Sequence, residues 1–339
     1  MRNFVKLVIL VNKICMPELP EVETIVRELD RKITGKKLSR FFVYDKKLSK
    51  PPVKLPVRVS GVHRRGKYIV FDLRPVRGRD LPERPFGRAG GSQRVPASNG
   101  VDCGHHCVVH LRMTGQLFYE KFADKRGLGH GAPSRTNAEK IQSKSASGLR
   151  KSAAKHERAR FVFSDGSVLR FFDMRRFGTF MWPRQDVLPQ LGVEPLSGKF
   201  DADHLMKLLK TSGRPIKNFL LDQKNIAGIG NIYADEALWT AKINPKRKAR
   251  SLNVREVRKL VCAVRKVLRE AIKKGGFTLR DYRRTGGESG YYQHSRRVYD
   301  REGLACLPRA ESRGHACGGK IRRIKLGGRS SYFCPKCQK

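Results

Sequence analysis

Two stretches of this chain hold side chains whose types and spacing could do chemistry. The first is Met16-Pro17-Glu18-Leu19-Pro20-Glu21-Val22-Glu23. If translation begins at Met16 and that methionine is removed, Pro17 becomes the N-terminus. Its nitrogen is then a secondary amine, nucleophilic enough to attack a carbonyl-level carbon and form an iminium, as activated lysines do. Glu18 beside it would serve as a general acid or base. With residues 1–15 still attached, the same nitrogen is a tertiary amide and no iminium forms. The second stretch lies at the other end, where Cys306, Cys317, Cys334 and Cys337 account for four of the eight cysteines. Such crowding is the pattern of a metal site and of a reducing compartment, not of a secreted disulfide framework. A third group, Cys103-Gly104-His105-His106-Cys107, is too tightly packed at a strand start to meet one tetrahedral ion and reads as ordinary side chains.

These residues need elements to hold them. Val22, Ile25, Val26, Leu29 and Ile33 recur at helical spacing, with Pro20 near the first helical position and Gly35 as a stop, so a helix starts at the candidate nucleophile. Residues 38–44 and 57–73 read as strands, with a turn at His63-Arg64-Arg65-Gly66. Ser164-Asp165-Gly166-Ser167 between two apolar runs predicts a hairpin. Helical periodicity returns at 203–211, 216–222, 232–241 and 254–274. Between two of these helices, Gln223 to Tyr233 forms a glycine-containing turn whose helix-opening N–H groups would face an anion. A nucleotide-binding loop is the rival reading, but the Walker Lys-Ser/Thr is missing.

Composition narrows the partner. The 339 residues suffice for two domains with real cores. Lys and Arg number 73 against 30 Asp and Glu, a net charge of +43 that points to a polyanion. No apolar run approaches the roughly 20 residues of a membrane span, so nucleic acid fits better than a membrane, and binding with steep salt dependence is expected. Residues 74–105 and 121–155, rich in Arg, Lys, Gly and Ser, read as basic insertions.

The motifs together resemble the bacterial formamidopyrimidine-DNA glycosylase family. The resemblance rests on Pro17-Glu18-Leu19-Pro20-Glu21, Arg64-Arg65-Gly66-Lys67-Tyr68, His110-Leu111-Arg112-Met113, Asp173-Met174-Arg175-Arg176-Phe177-Gly178, the 223–233 turn and the final Phe333-Cys334-Pro335-Lys336-Cys337-Gln338. It covers nearly everything from Met16 onward except the insertions. It implies an α+β chain of two domains: an N-terminal β-sandwich flanked by helices (17–189), then a helix-two-turn-helix domain (190–292) ending in a zinc-ribbon β-hairpin (293–339). On this reading residues 1–15 would be an extension produced by a misplaced start.

The resemblance also implies an activity: removal of oxidised purines from duplex DNA, then β,δ-elimination at the abasic site. Catalysis would fall to Pro17, Glu18, Glu21, Lys67 and Arg329. Met113 would fill the void left by the everted base, Arg175 would read the orphaned cytosine and Phe177 would wedge beside it. His156, Lys217 and Asn231 are the matching DNA contacts, and an equivalent of the 280–292 loop closes over the everted base, with Tyr291 and Tyr292 placed to stack on it. One structural Zn²⁺ would be held by Cys306, Cys317, Cys334 and Cys337, with ten residues between the first two where the family has two. Cys306 follows the family's usual lead-in, and His315 is the alternative fourth ligand. A monomer in the cytoplasm, associated with the nucleoid, is the implied setting. The alternatives are an endonuclease VIII-like enzyme for oxidised pyrimidines and a catalytically silent lesion-binding protein with Pro17 blocked.

Overall fold

The computed structural model describes residues 16–76, 105–121, 155–183, 188, 190–278, 282–308 and 317–339. Expectations for residues 1–15, for nearly all of both insertions and for His315 fall outside them.

Helix α1 (Leu19–Ile33) opens with Glu18 as its N-cap residue, and the Glu21 carboxylate turns back to accept the Glu18 N–H at 2.8 Å. Val22, Ile25, Val26, Leu29 and Ile33 are buried against the sheet, as their spacing predicts. Leu19 instead enters the core of the helical domain. One helix therefore serves both cores, and its first turn lies at their junction.

The β-sandwich domain is built from a single hydrogen-bonded sheet of eight antiparallel strands: β1 (Lys37–Val43), β2 (Val57–Arg65), β3 (Tyr68–Pro75), β4 (His105–His110), β5 (Gly115–Glu120), β6 (Glu157–Phe163), β7 (Val168–Asp173) and β8 (Thr179–Met181). Their order is β5-β7-β6-β1-β2-β3-β4-β8. Alternation along β6, with Ala159, Phe161 and Phe163 buried, supplies the inner face. Three boundaries differ from those read in the sequence. Residues 63–65 continue β2, and the chain reverses at Gly66 (φ +58), which has no Cβ to oppose that conformation. Arg74 and Pro75 extend β3, and His105 starts β4, because the β3–β4 ladder pairs Leu73 with His105.

The helical domain follows the 190–196 linker: α2 (Ala202–Lys210), α3 (Ile216–Leu221), α4 (Asn231–Ala241) and α5 (Val254–Lys273). Asp201 caps α2 through the His204 N–H, and Asn253 with Glu256 forms a capping box on α5. Leu220, Ile232, Leu238, Leu260 and Val264 make the core. The chain ends in a hairpin of β9 (Arg322–Leu326) and β10 (Arg329–Phe333), docked on α4 through Trp239 and Tyr332. No described helix is long and apolar enough to cross a membrane.

Candidate active site

Pro17 and Glu18 are buried where the start of α1 meets the turn between α3 and α4. That turn is stapled by Gln223, whose amide donates to Leu221 O and Ile229 O and accepts the Gly228 N–H at 2.8 Å. Gly228 (φ +88) then lies against Leu19, whose N–H donates to Gly228 O at 3.0 Å. From the sequence, the α4 N-terminus is expected to face a DNA phosphate. The anion there is Glu18 itself: its carboxylate accepts the Ile232 N–H at 3.0 Å and lies 3.5 Å from the Tyr233 N. Gly230 makes this possible, since a Cβ there would lie 2.2 Å from Glu18 Cδ.

Burial pushes the Glu18 carboxyl above its usual range, against the pull of the Lys67 ammonium and of the α4 N–H groups. Burial, with the neighbouring Glu18 charge, lifts Glu21 to about 7. Glu21 accepts the Tyr233 hydroxyl at 2.5 Å and the Phe277 N–H at 2.7 Å besides the Glu18 N–H, so it ties the first turn to α4 and to the start of the loop that follows α5. A carboxyl raised this way can hold a proton near neutral pH and give it up in a reaction.

Lys67 is buried directly after Gly66 and close enough to act electrostatically on both Glu18 and His110. Its turn is clamped from the linker. Glu194 accepts the Gly66 N–H at 2.6 Å and pairs with Arg64 and Arg65, while Arg64 also reaches Glu23 on α1. Burial pushes His110 down to about 3, so it is neutral, and its Nδ1 accepts the Arg112 N–H at 2.9 Å.

Two loops meet at one end of the sheet because Thr179 pairs with His110 and Gly115 pairs with Asp173. The hub between them is buried Asp173. It accepts the Thr114 hydroxyl at 2.5 Å, the Arg175 N–H at 3.1 Å and the Gly178 N–H at 2.7 Å. Thr114, which follows Met113 in the chain, is thereby held against the Arg175 N–H, and exposed Arg175 and Phe177 stack guanidinium on ring at 4.9 Å. The start of β6 borders the same hub: His156 O accepts the Asp173 N–H at 3.0 Å.

Lys217 is corrected by the structure. Its side chain is fully buried, paired with Asp235 at 2.8 Å and donating to Ser330 O at 2.8 Å, so it ties α3 and α4 to the hairpin and presents no ammonium to solvent. Asn231 opens α4, and its Oδ1 is buried with no hydrogen-bond partner among the described residues. Arg329 is exposed at the start of β10 and acts electrostatically on Lys217. Tyr292 is also corrected: it is buried against Tyr233 with ring centroids 5.5 Å apart, and only Tyr291 is exposed.

The four cysteine sulfurs lie within 4.8 Å of one another, with Cys306 to Cys337 at 3.8 Å and Cys317 to Cys334 at 3.6 Å. Bonds of about 2.3 Å in a tetrahedral zinc tetrathiolate put sulfurs about 3.8 Å apart, so the donor set fits. Trp239 Nε1–H donates to Cys306 Sγ at 3.2 Å, the outer bond a metal-bound thiolate accepts. Gly319 keeps the space clear, since a Cβ would meet Cys334 Sγ at 2.7 Å.

Family models match three regions: the formamidopyrimidine-DNA glycosylase N-terminal domain at residues 16–180, the formamidopyrimidine-DNA glycosylase H2TH domain at 191–283, and the zinc finger found in FPG and IleRS at 315–339. The chain belongs to the formamidopyrimidine-DNA glycosylase family, DNA-repair glycosylases that bind DNA and carry a zinc finger. Among its relatives, the enzyme of Pelotomaculum thermopropionicum is 37% identical over 337 residues, covering 96% of this chain and 99% of that one. That of Desulforamulus reducens is 38% identical over 330 residues, covering 96% and 99%. The crystal structure of the Thermus thermophilus protein superposes with a TM-score of 0.68 at 34% identity, covering 95% and 98%. A Lactococcus lactis variant bound to DNA containing Fapy-dG does so with 0.69 at 30% identity, covering 95% and 100%.

Sequence reasoning missed Glu194, Asp173, Glu28 and the Lys217–Asp235 pair. Only Asp173 left a signal, being the first residue of the Asp-Met-Arg-Arg-Phe-Gly motif.

Proposed function

We propose that this chain removes oxidised purines, 8-oxoguanine and formamidopyrimidines among them, from duplex DNA and cuts the resulting abasic strand. The observation that carries the reading is the junction itself: Pro17 beside the buried Glu18 carboxyl, with Lys67 close enough to act on it, and Arg175 and Phe177 exposed together at the sheet's end next to the loop of Met113. With Pro17 as a free terminus, its nitrogen attacks the sugar C1′ and the C1′–N bond breaks, the proton shed by the Pro17 nitrogen passing to the base as it leaves. Glu18 delivers its proton to the ring oxygen, the sugar opens, and the nitrogen lone pair completes the iminium. Loss of a C2′ proton expels the 3′ phosphate, and a second elimination expels the 5′ phosphate. Lys67 favours the ionised form of Glu18 that results. Arg329, at the tip of the hairpin, grips the phosphates that leave. The zinc is structural: held by Cys306, Cys317, Cys334 and Cys337, it would fix the hairpin that carries Arg329. The protein acts as a monomer on DNA.

Borohydride trapping on an 8-oxoguanine:cytosine duplex tests this with protein starting at Met16 beside the full 339-residue form. Trapping of the Met16 form alone identifies Pro17 as the nucleophile. Binding by both forms without trapping leaves a silent lesion-binding protein. An oxidised pyrimidine belongs in the same panel, because a Lactococcus lactis relative has been crystallised with DNA containing one.

A further inference from the structure

Glu28 lies on α1 about two and a half turns from the catalytic end and plays no part in the chemistry above. Its carboxylate is buried, yet it faces away from the sheet core toward residues 282–292. It accepts Arg284 Nε–H at 2.5 Å, the Thr285 N–H at 3.0 Å and the Thr285 hydroxyl at 2.6 Å. One turn further along α1, Lys32 Nζ donates to the same hydroxyl at 2.8 Å. From the sheet side, the Tyr119 N–H donates to Thr285 O at 3.0 Å. Thr285 is 1% exposed, so a residue in the middle of a glycine-rich loop is held on α1 and β5 as firmly as a core residue.

The loop fixed this way borders the candidate nucleophile. Tyr282 donates its hydroxyl to Glu21 O at 3.3 Å, and Phe277 N–H binds the Glu21 carboxylate. Beyond Thr285 the chain closes on itself, with Arg284 N–H to Glu288 O and Gly287 N–H to Arg284 O both at 2.9 Å. Gly290 then packs so tightly on Gly276 O that a Cβ would lie 2.2 Å away. Glu28 thus joins two functions on one rigid rod: the first turn of α1 carries the reacting groups, and the third turn sets the height of the loop above them. Neutralising it removes the ionic partner of Arg284 and weakens two of the bonds on Thr285.

We infer that Glu28, with Thr285, is a positioning residue for base excision: it holds the 282–292 loop where the loop closes over the base being removed. This rests on the reading of the site as a glycosylase and lyase. A loop that clasps a base matters while a base is present and has nothing to clasp once the site is abasic. The two half-reactions therefore separate the inference from a general weakening of the fold.

The test compares Glu28→Gln and Thr285→Val with the parent, all started at Met16, in single-turnover excision of 8-oxoguanine and in cleavage of a preformed abasic duplex. Excision is expected to fall at least about tenfold while abasic cleavage and borohydride trapping stay within about twofold. Thr285→Val, which keeps shape and charge, reports the loop without disturbing Arg284. Equal loss of both reactions in both variants, or no loss in either reaction, overturns the inference. A parent that neither excises nor cleaves abasic DNA overturns the underlying functional reading instead.

Discussion

The buried pair of Lys217 and Asp235 offers the sharpest test of how the hairpin is held. Both side chains are 0% exposed, their charged atoms 2.8 Å apart, and Asp235 also accepts the Tyr332 N–H at 3.0 Å while Lys217 donates to Ser330 O. Burial pushes Lys217 down and Asp235 up to about 7, so neither charge is well served without the other. Removing one partner of such a pair typically costs about 3–5 kcal/mol. Asp235→Asn belongs at about 4 kcal/mol, because the amide still receives Tyr332 but leaves a buried ammonium unpaired. Lys217→Met belongs lower, at about 3 kcal/mol, since Asp235 can take up a proton at neutral pH and shed its charge. The double variant leaves no buried charge and should cost at least about 2 kcal/mol less than the sum. Urea unfolding of the zinc-loaded protein, with the slope checked for constancy, measures all three. Single losses below about 1 kcal/mol that simply add would refute the argument, and the pair would then have no share in docking the hairpin.

Gly230→Ala places a Cβ against Glu18 at a backbone φ of −129, where alanine is unstrained. Trapping is expected to fall by about a hundredfold with duplex binding retained, measured by borohydride trapping beside a binding titration. Chelation should release one zinc per chain, loosen the hairpin and abolish strand cutting; metal analysis of the released fraction checks the stoichiometry. Asp45 is held down to about 2 chiefly by the Arg176 guanidinium, so its folded pKa lies below its unfolded one. The stability it contributes is present above about pH 4 and is lost as pH falls toward 2, and Asp45→Asn should remove that acid-side slope in unfolding measured across pH 2–5. Glu21 has the opposite sign. Raised to about 7, it binds its proton more tightly when folded, so its contribution declines as pH rises between about 4.5 and 7, and Glu21→Gln should flatten that window.

Much of this chain is legible in its sequence, for physical reasons that particular residues make plain. Apolar spacing from Val22 to Ile33 fixes a helix face whatever surrounds it, and the apolar runs on either side of Ser164-Asp165-Gly166-Ser167 fix the hairpin of β6 and β7. Cysteine chemistry is local as well: Cys334 and Cys337 sit three residues apart, so their closeness is written in the chain. Motif residues are recognisable as types, and the family follows from them.

What a buried charge meets is not legible there, because that depends on which distant backbone arrives beside it. Glu18 finds the N-terminus of a helix more than two hundred residues away, and the turn that reads as a phosphate cradle is occupied by the chain's own carboxylate. Lys217 has the type and position of a DNA contact, yet its ammonium is enclosed by Asp235 and Ser330. Tyr292 and Tyr291 are adjacent in sequence and opposite in fate, one in the core and one in solvent. Which elements exist and what chemistry their residues can do follow from local sequence, since backbone geometry and side-chain type are local properties. Which of those residues remain free to act is decided only when the two cores close on the first turn of α1, since burial and partnership are properties of the whole fold.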